Sequence, residues 1–202
     1  MMTRILILDY GVGNLFSLMS AIQREGAEPL IRQEIPPDPC FDGLILPGVG
    51  HFTPVSERLR RMRSAIDEVI ERGTPILGVC LGMQVLFDRS EEGPGQGLGL
   101  IPGAVVRLPD SVKIPHMGWN RLHLVRSNPL LHGVPQGAWV YFVHSFYPQP
   151  EDESVVLARA EHGVSFPAVV GRDRIFGTQF HPEKSGEAGS LMLKNFLRLC
   201  RG

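Results

Sequence analysis

Three short runs carry apolar residues on both sides of any strand they form: residues 4–9 (RILILD), 43–46 (GLIL) and 74–79 (TPILGV). A strand apolar on both faces has to be covered on both faces, which calls for a parallel sheet held between layers of helices. Each run also passes straight into a turn and then a helical pattern. After the first, Leu15, Leu18, Met19 and Ile22 recur at helical spacing until Gly26, and a short strand is expected near residues 28–31. The second runs into Pro47-Gly48-Val49-Gly50. Beyond that turn, Thr53 is placed to cap a helix, Pro54 suits its first turn, and Val55, Leu59, Met62, Ile66 and Val69 form an apolar stripe that Gly73 ends. The third is followed at once by Cys80 and a helix-like stretch over 83–87.

From about residue 93 to 174 the text changes. Short strands bounded by Pro and Gly are expected at 104–108, 138–143, 155–160 and 168–170, in a mixed or antiparallel arrangement. A late strand at 174–178 and a closing helix with Leu193, Phe196, Leu197 and Cys200 on its inner face complete the chain. The expected fold is α/β: an open, mostly parallel central sheet with helices on both faces and an antiparallel or mixed extension, forming one domain over residues 1–202. The 23 glycines and 17 prolines suit many short elements better than a helical bundle.

Composition excludes several functions. A net charge of −1 gives no electrostatic basis for binding nucleic acid or an anionic membrane. The apolar run after Met1-Met2-Thr3-Arg4 is too short for a secretory signal or a membrane span, so a cytoplasmic protein is expected. Cys40, Cys80 and Cys200 are odd in number and widely spaced, which argues against disulfides and structural zinc. No metal or cofactor is expected.

Cys80 lies within Gly78-Val79-Cys80-Leu81-Gly82, where an apolar strand gives way to a helix. That is the setting of a nucleophile elbow. The flanking glycines let the backbone turn sharply without side-chain clashes, and the N-terminal amides of a following helix favour a thiolate. A thiolate needs a histidine to share its proton and the histidine needs an orienting group. His181 follows the late strand and opens His181-Pro182-Glu183, so Pro182 holds Glu183 at a fixed offset from the imidazole. Both would then stand at the carboxyl rim of the sheet, where open α/β folds keep their sites. The other histidines, His51, His116, His123, His132, His144 and His162, are scattered singly along the chain and read as surface or structural residues. Attack at a carbonyl also requires amide donors for the oxyanion. The Leu81 amide is one candidate; amides of Val49 and Gly50 are others, although Pro47 to Gly50 also reads as a plain turn.

Gly78 to Gln84 (GVCLGMQ), the Pro47 to Gly50 turn and Gly177 to Glu183 (GTQFHPE) resemble the class I, triad-type glutamine amidotransferases in order and spacing, over essentially the whole chain. The resemblance implies an open α/β sheet with a Cys-His-Glu triad that hydrolyses glutamine to glutamate and ammonia. Asp9 to Asn14 (DYGVGN), Pro115 to Asn120 (PHMGWN), Tyr141 to Tyr147 (YFVHSFY) and Lys184-Ser185 are similar to the glutaminase subunits of imidazole glycerol phosphate synthases in histidine biosynthesis. It implies a heterodimer with a (β/α)₈-barrel cyclase subunit that consumes the ammonia; a different acceptor synthase is the alternative. It further implies that Gly50 and Gln84 line the glutamine site and that Glu92, or Glu91 beside it, meets the α-amino group. The Ser145-Phe146 backbone would hold the α-carboxylate, with Trp119 and Lys184 facing the cyclase.

One stretch offers a different class of function. Gly11-Val12-Gly13-Asn14-Leu15-Phe16 begins like a dinucleotide-binding loop, but Phe16 stands where the third glycine belongs. A cysteine peptidase would keep the nucleophile and change the acyl group; it would need a peptide groove or a different acid partner.

Overall fold

The computed structural model describes residues 2–11, 15–37 and 40–201. The alternation seen in the sequence is realised through the first half: β1 (Arg4–Leu8), α1 (Leu15–Arg24), β2 (Glu28–Arg32), β3 (Gly43–Leu46), α2 (Phe52–Arg61), α3 (Arg63–Glu71), β4 (Ile76–Val79) and α4 (Leu81–Gln84). Short strands follow: β5 (Arg89–Ser90), β6 (Gly103–Arg107), β7 (His116–Arg121), β8 (His123–Leu124), β9 (Trp139–His144) and β10 (Phe146–Pro150). The chain closes with β11 (Val156–Glu161), β12 (Ser165–Arg172), β13 (Ile175–Thr178) and α5 (Gly186–Cys200).

Eight strands form the central sheet in the order β2-β1-β3-β4-β13-β12-β11-β8. The pairs from β2 through β13 are parallel, and those from β13 to β8 are antiparallel. Side chains alternate across each strand and are apolar on both faces. Ile5, Ile7, Ile45 and Leu77 pack with Leu18 and Ile22 of α1 and Phe196 of α5. Leu6, Leu8, Leu44 and Ile76 face the other way, onto Val55, Leu59, Ile66 and Val69 of α2 and α3.

Two local expectations fail. The single helix expected over 53–72 is two helices, because the backbone at Met62 (φ −99°, ψ 13°) leaves the helical region and its amide bonds back only three residues, to Leu59. Thr53 is not the cap, since its hydroxyl donates to the Pro94 carbonyl. The helix starts two residues earlier than that cap would set it, at Phe52, and Glu92, distant in sequence, accepts from the Phe52 amide at 2.7 Å in the cap's place. Of the Gly11 to Phe16 segment, Val12, Gly13 and Asn14 lie outside the described residues. Among the described residues no helix is long and apolar enough to cross a membrane.

Candidate active site

β3, β4 and β13 run parallel and end at the same rim, carrying the Pro47 to Gly50 turn, Cys80 and His181 with them. Cys80 sits between Val79 and Leu81 at φ 56°, ψ −110°, a left-handed conformation that costs a non-glycine residue about 1–3 kcal/mol. It is held there by its own amide, bonded to Thr178 O at 2.7 Å, and by its carbonyl, which accepts from the Met83 and Gln84 amides. The strain therefore falls on the cysteine itself. Gly78 and Gly82 serve clearance instead: a Cβ on Gly78 would overlap the Gly82 carbonyl, and one on Gly82 would overlap the Leu46 carbonyl.

The helix after Cys80 is shorter than the expected 83–87 stretch implied. α4 is a single turn, and Leu86 and Phe87 bond back three residues, to Met83 and Gln84. One turn has little macrodipole, so the polarity at the sulfur comes from individual neighbours.

His181 Nδ1 lies 2.9 Å from Glu183 Oε1, and both side chains are almost sealed from solvent. The ring also interacts with Cys80. Burial alone disfavours a charged imidazole, yet the bonds to Cys80 and Glu183 and their negative charges outweigh it and raise the His181 pKa to about 10. The segment is braced from β9: the His181 amide donates to Tyr141 O, the Ser185 hydroxyl donates to His181 O, and the Tyr141 amide donates to the Ser185 hydroxyl. Among the described residues Glu183 Oε2 is buried with no hydrogen-bond partner.

Gln179, which the sequence did not single out, is fully buried and donates through Nε2 to the Cys80 sulfur at 3.7 Å. Its Oε1 accepts from Gln84 Nε2 at 3.1 Å, and Gln84 Nε2 also donates to Phe146 O at 2.9 Å. The sulfur is also 3.6 Å from Val143 O, a contact only the thiol form can use as a donor. The available signal was a polar amide placed between the buried Thr178 and Phe180 in the run that ends on the histidine.

A cleft of about 210 Å³ opens over Cys80, with Val49, Gly50, Leu81, Gln84, Glu92, Ser145 and Phe146 among its walls. The structure thus brings together the residues expected around a substrate. Of the two neighbouring acids, Glu92 lines the cleft, whereas Glu91 turns away to accept from the Arg107 amide. The Leu81 amide donates to Gly48 O at 3.4 Å, Gly50 takes φ 103°, and Val49 is exposed. A larger groove of about 820 Å³, bordered by Leu124, Arg126, Arg174 and Arg198, contains none of these residues.

The histidines are not all single. The pairing of β7 with β9 sets His116 opposite His144, with Nδ1 of the first 2.9 Å from Nε2 of the second, and His162 stacks on His116. On the outer face of the same two strands Trp119 packs edge-on to Tyr141, and Lys184 Nζ lies 5.9 Å from the Tyr141 ring. The two residues expected at a partner interface therefore meet around one tyrosine. Met117 and Trp139, both more than half exposed, extend that surface. Among the described residues no group of three or more His, Cys, Asp or Glu is placed to hold a metal ion.

Known proteins fit this geometry. The family described as glutamine amidotransferase class-I matches residues 6–200. Imidazole glycerol phosphate synthase subunit HisH of Geobacillus thermodenitrificans (strain NG80-2) is 50% identical over 210 residues, covering 100% of this chain and 98% of that protein. The subunit of the same name from Geobacillus kaustophilus (strain HTA426) is 50% identical over 205 residues, with 97% of each chain covered. A crystal structure of a glutamine amidotransferase superposes with a TM-score of 0.76 at 22% identity, covering 98% of this chain and 99% of the other, a likeness of fold. The chain belongs to the class-I glutamine amidotransferase family and, within it, to the HisH group.

Proposed function

We propose that this chain is the glutaminase subunit of an imidazole glycerol phosphate synthase. It hydrolyses L-glutamine to L-glutamate and ammonia, and passes the ammonia to a (β/α)₈-barrel cyclase subunit in histidine biosynthesis, in the cytoplasm. The cyclase uses it to form imidazole glycerol phosphate and an aminoimidazole carboxamide ribonucleotide. The observation that carries the reading is the contact of Cys80, His181 and Glu183 beside a cleft that Cys80 lines together with Gln84 and Glu92.

In this reading His181 holds the shared proton, and the Cys80 thiolate attacks the side-chain carbonyl carbon of glutamine. The carbonyl π pair moves to oxygen, where amides from Val49, Gly50 and Leu81 receive the charge. As the oxyanion collapses, the C–N bond breaks, His181 gives its proton to the departing nitrogen, and ammonia and a glutamyl thioester remain. Water then attacks the thioester carbonyl, with His181 taking its proton, and glutamate leaves as the C–S bond breaks. Glu183 fixes the ring through Nδ1–H and offsets its charge. Gln84, Glu92 and the Ser145-Phe146 backbone hold the amino acid; the Trp119, Tyr141 and Lys184 surface meets the cyclase.

The test is Cys80→Ala in the assembled complex. Glutamine-dependent product formation should disappear while formation from free ammonia persists; retained glutamine turnover would refute the assignment.

A further inference from the structure

The two histidines at the back of the cleft are joined in a hydrogen-bond chain whose direction can be assigned. Phe146 O can only accept, so His144 Nδ1, at 2.9 Å, carries a hydrogen. Asn120 Nδ2 donates to Glu161 O at 2.7 Å, which fixes the amide's orientation, and its second hydrogen points to His116 Nε2 at 3.3 Å. His116 Nε2 is therefore the acceptor and Nδ1 the donor, aimed at His144 Nε2. The chain runs one way, from Asn120 through His116 and His144 to Phe146 O, and holds only while both rings are neutral. An added proton would set N–H against N–H. Burial, with the charges of His162 stacked on His116 and of His181 facing His144, lowers both pKa values, to about 4 and about 3.

The chain ends on the cleft wall. Phe146 O takes its two donors from His144 Nδ1 and Gln84 Nε2, and Ser145 O is held by the Leu108 amide. Both carbonyls are thereby tied to the protein, which fixes how the Ser145–Phe146 peptide lies along the cleft.

We propose that His116 and His144, as a neutral hydrogen-bonded pair, are positioning residues that orient the Ser145–Phe146 backbone for the α-carboxylate of glutamine. This rests on reading the cleft as the glutamine site. The pair acts on substrate binding, with the nucleophile left untouched.

The experiment measures glutamine KM and kcat in the cyclase complex, inhibition by glutamate, and the rate at which iodoacetamide, which has no α-carboxylate, labels Cys80. His144→Phe and His116→Leu should raise KM and the glutamate inhibition constant about tenfold, the scale of a hydrogen bond to a buried group, with labelling unchanged. His144→Asn keeps an N–H near the Nδ1 position and should restore KM to within about twofold of the parent. If the apolar variants fail to fold, His144→Gln decides: its amide reaches the Nε2 position, offers nothing to Phe146 O, and should raise KM. An unchanged KM in the variants lacking the donor, an equal rise in His144→Asn, or a loss confined to kcat and labelling would overturn the proposal. A parent complex that consumes no glutamine would overturn the functional reading, and this inference with it.

Discussion

The Leu81 amide donates to the Gly48 carbonyl, so the nitrogen beside Cys80 is turned toward an acceptor of the protein's own. An oxyanion would have to displace that carbonyl. Loss of one such donor typically costs about 10²–10³ in rate. The isolated chain should accordingly be a poor glutaminase, and cyclase with its nucleotide bound should raise turnover by roughly that factor, by reorienting the Pro47 to Gly50 turn. Steady-state assays of the chain alone, with cyclase, and with cyclase plus nucleotide test this; equal rates in all three would rule out that reorientation. Stimulation that survives Lys184→Ala would keep the reorientation and exclude that lysine from it.

A glutamine-like alkylating agent should label Cys80 ahead of Cys40 and Cys200. Burial, with Asp42 nearby, pushes the Cys200 thiol up to about 12, whereas Cys80 faces a protonated imidazole. Peptide mapping reads the outcome, and His181→Asn should slow labelling of Cys80 selectively. Equal labelling of the three would contradict a special environment.

Glu183→Gln should lower kcat much more than it alters KM. Gln can still offer an oxygen to His181 Nδ1, but it removes the charge that supports the imidazolium and places an NH₂ where Oε2 is buried without a partner among the described residues. The variant should therefore lose stability as well, seen as a lower melting temperature. Unchanged turnover would take Glu183 out of the triad.

Gln179→Met keeps the volume and removes the N–H that faces the sulfur. We expect iodoacetamide labelling of Cys80 and kcat to fall together, by about tenfold on the scale of a hydrogen bond to a charged acceptor. Labelling at the parent rate would reduce Gln179 to a packing role.

The neutral histidine pair also predicts a pH dependence of folding. Both pKa values are lowered in the native state, so between about 6.5 and about 3–4 the unfolded chain binds more protons than the folded one. The stability this pair permits is complete above about pH 6.5 and is lost as pH falls through that window. Melting temperatures should drop less steeply with acid in His116→Asn/His144→Asn than in the parent. Parallel curves would show that the rings are not held neutral.

Legibility in the sequence followed the range of the forces involved. β1, β3 and β4 were readable because runs such as Ile5 to Leu8 are apolar on both faces, a local property with one architectural solution. Cys80 and the His181–Glu183 pair were readable because their geometry is set within a few residues. His116 and His144 read as unrelated because they lie 28 positions apart and meet only through the β7–β9 register. Glu92 as the partner of the Phe52 amide, 40 positions away, was hidden for the same reason, and Thr53 offered a plausible local substitute. The break at Met62 has no glycine or proline to announce it.

The glycines around Cys80 mark where atoms are not tolerated. Gly48 approaches Leu81 and Gly82, Gly78 faces the Gly82 carbonyl, Gly82 faces Leu46, and Gly177 lies against Met83; none of these four has a left-handed backbone. Gly78 and Gly82 let strand, turn and helix touch main chain to main chain, so the position of the sulfur is gauged there by peptide thickness, while Gly48 and Gly177 leave room for the Leu81 and Met83 side chains. An added methyl at Gly82 would act as a shim against the Leu46 carbonyl, displacing the sulfur while leaving every reactive group chemically intact. Loss of activity in such a variant would be a fault of alignment, the kind that a search restricted to chemically active residues overlooks.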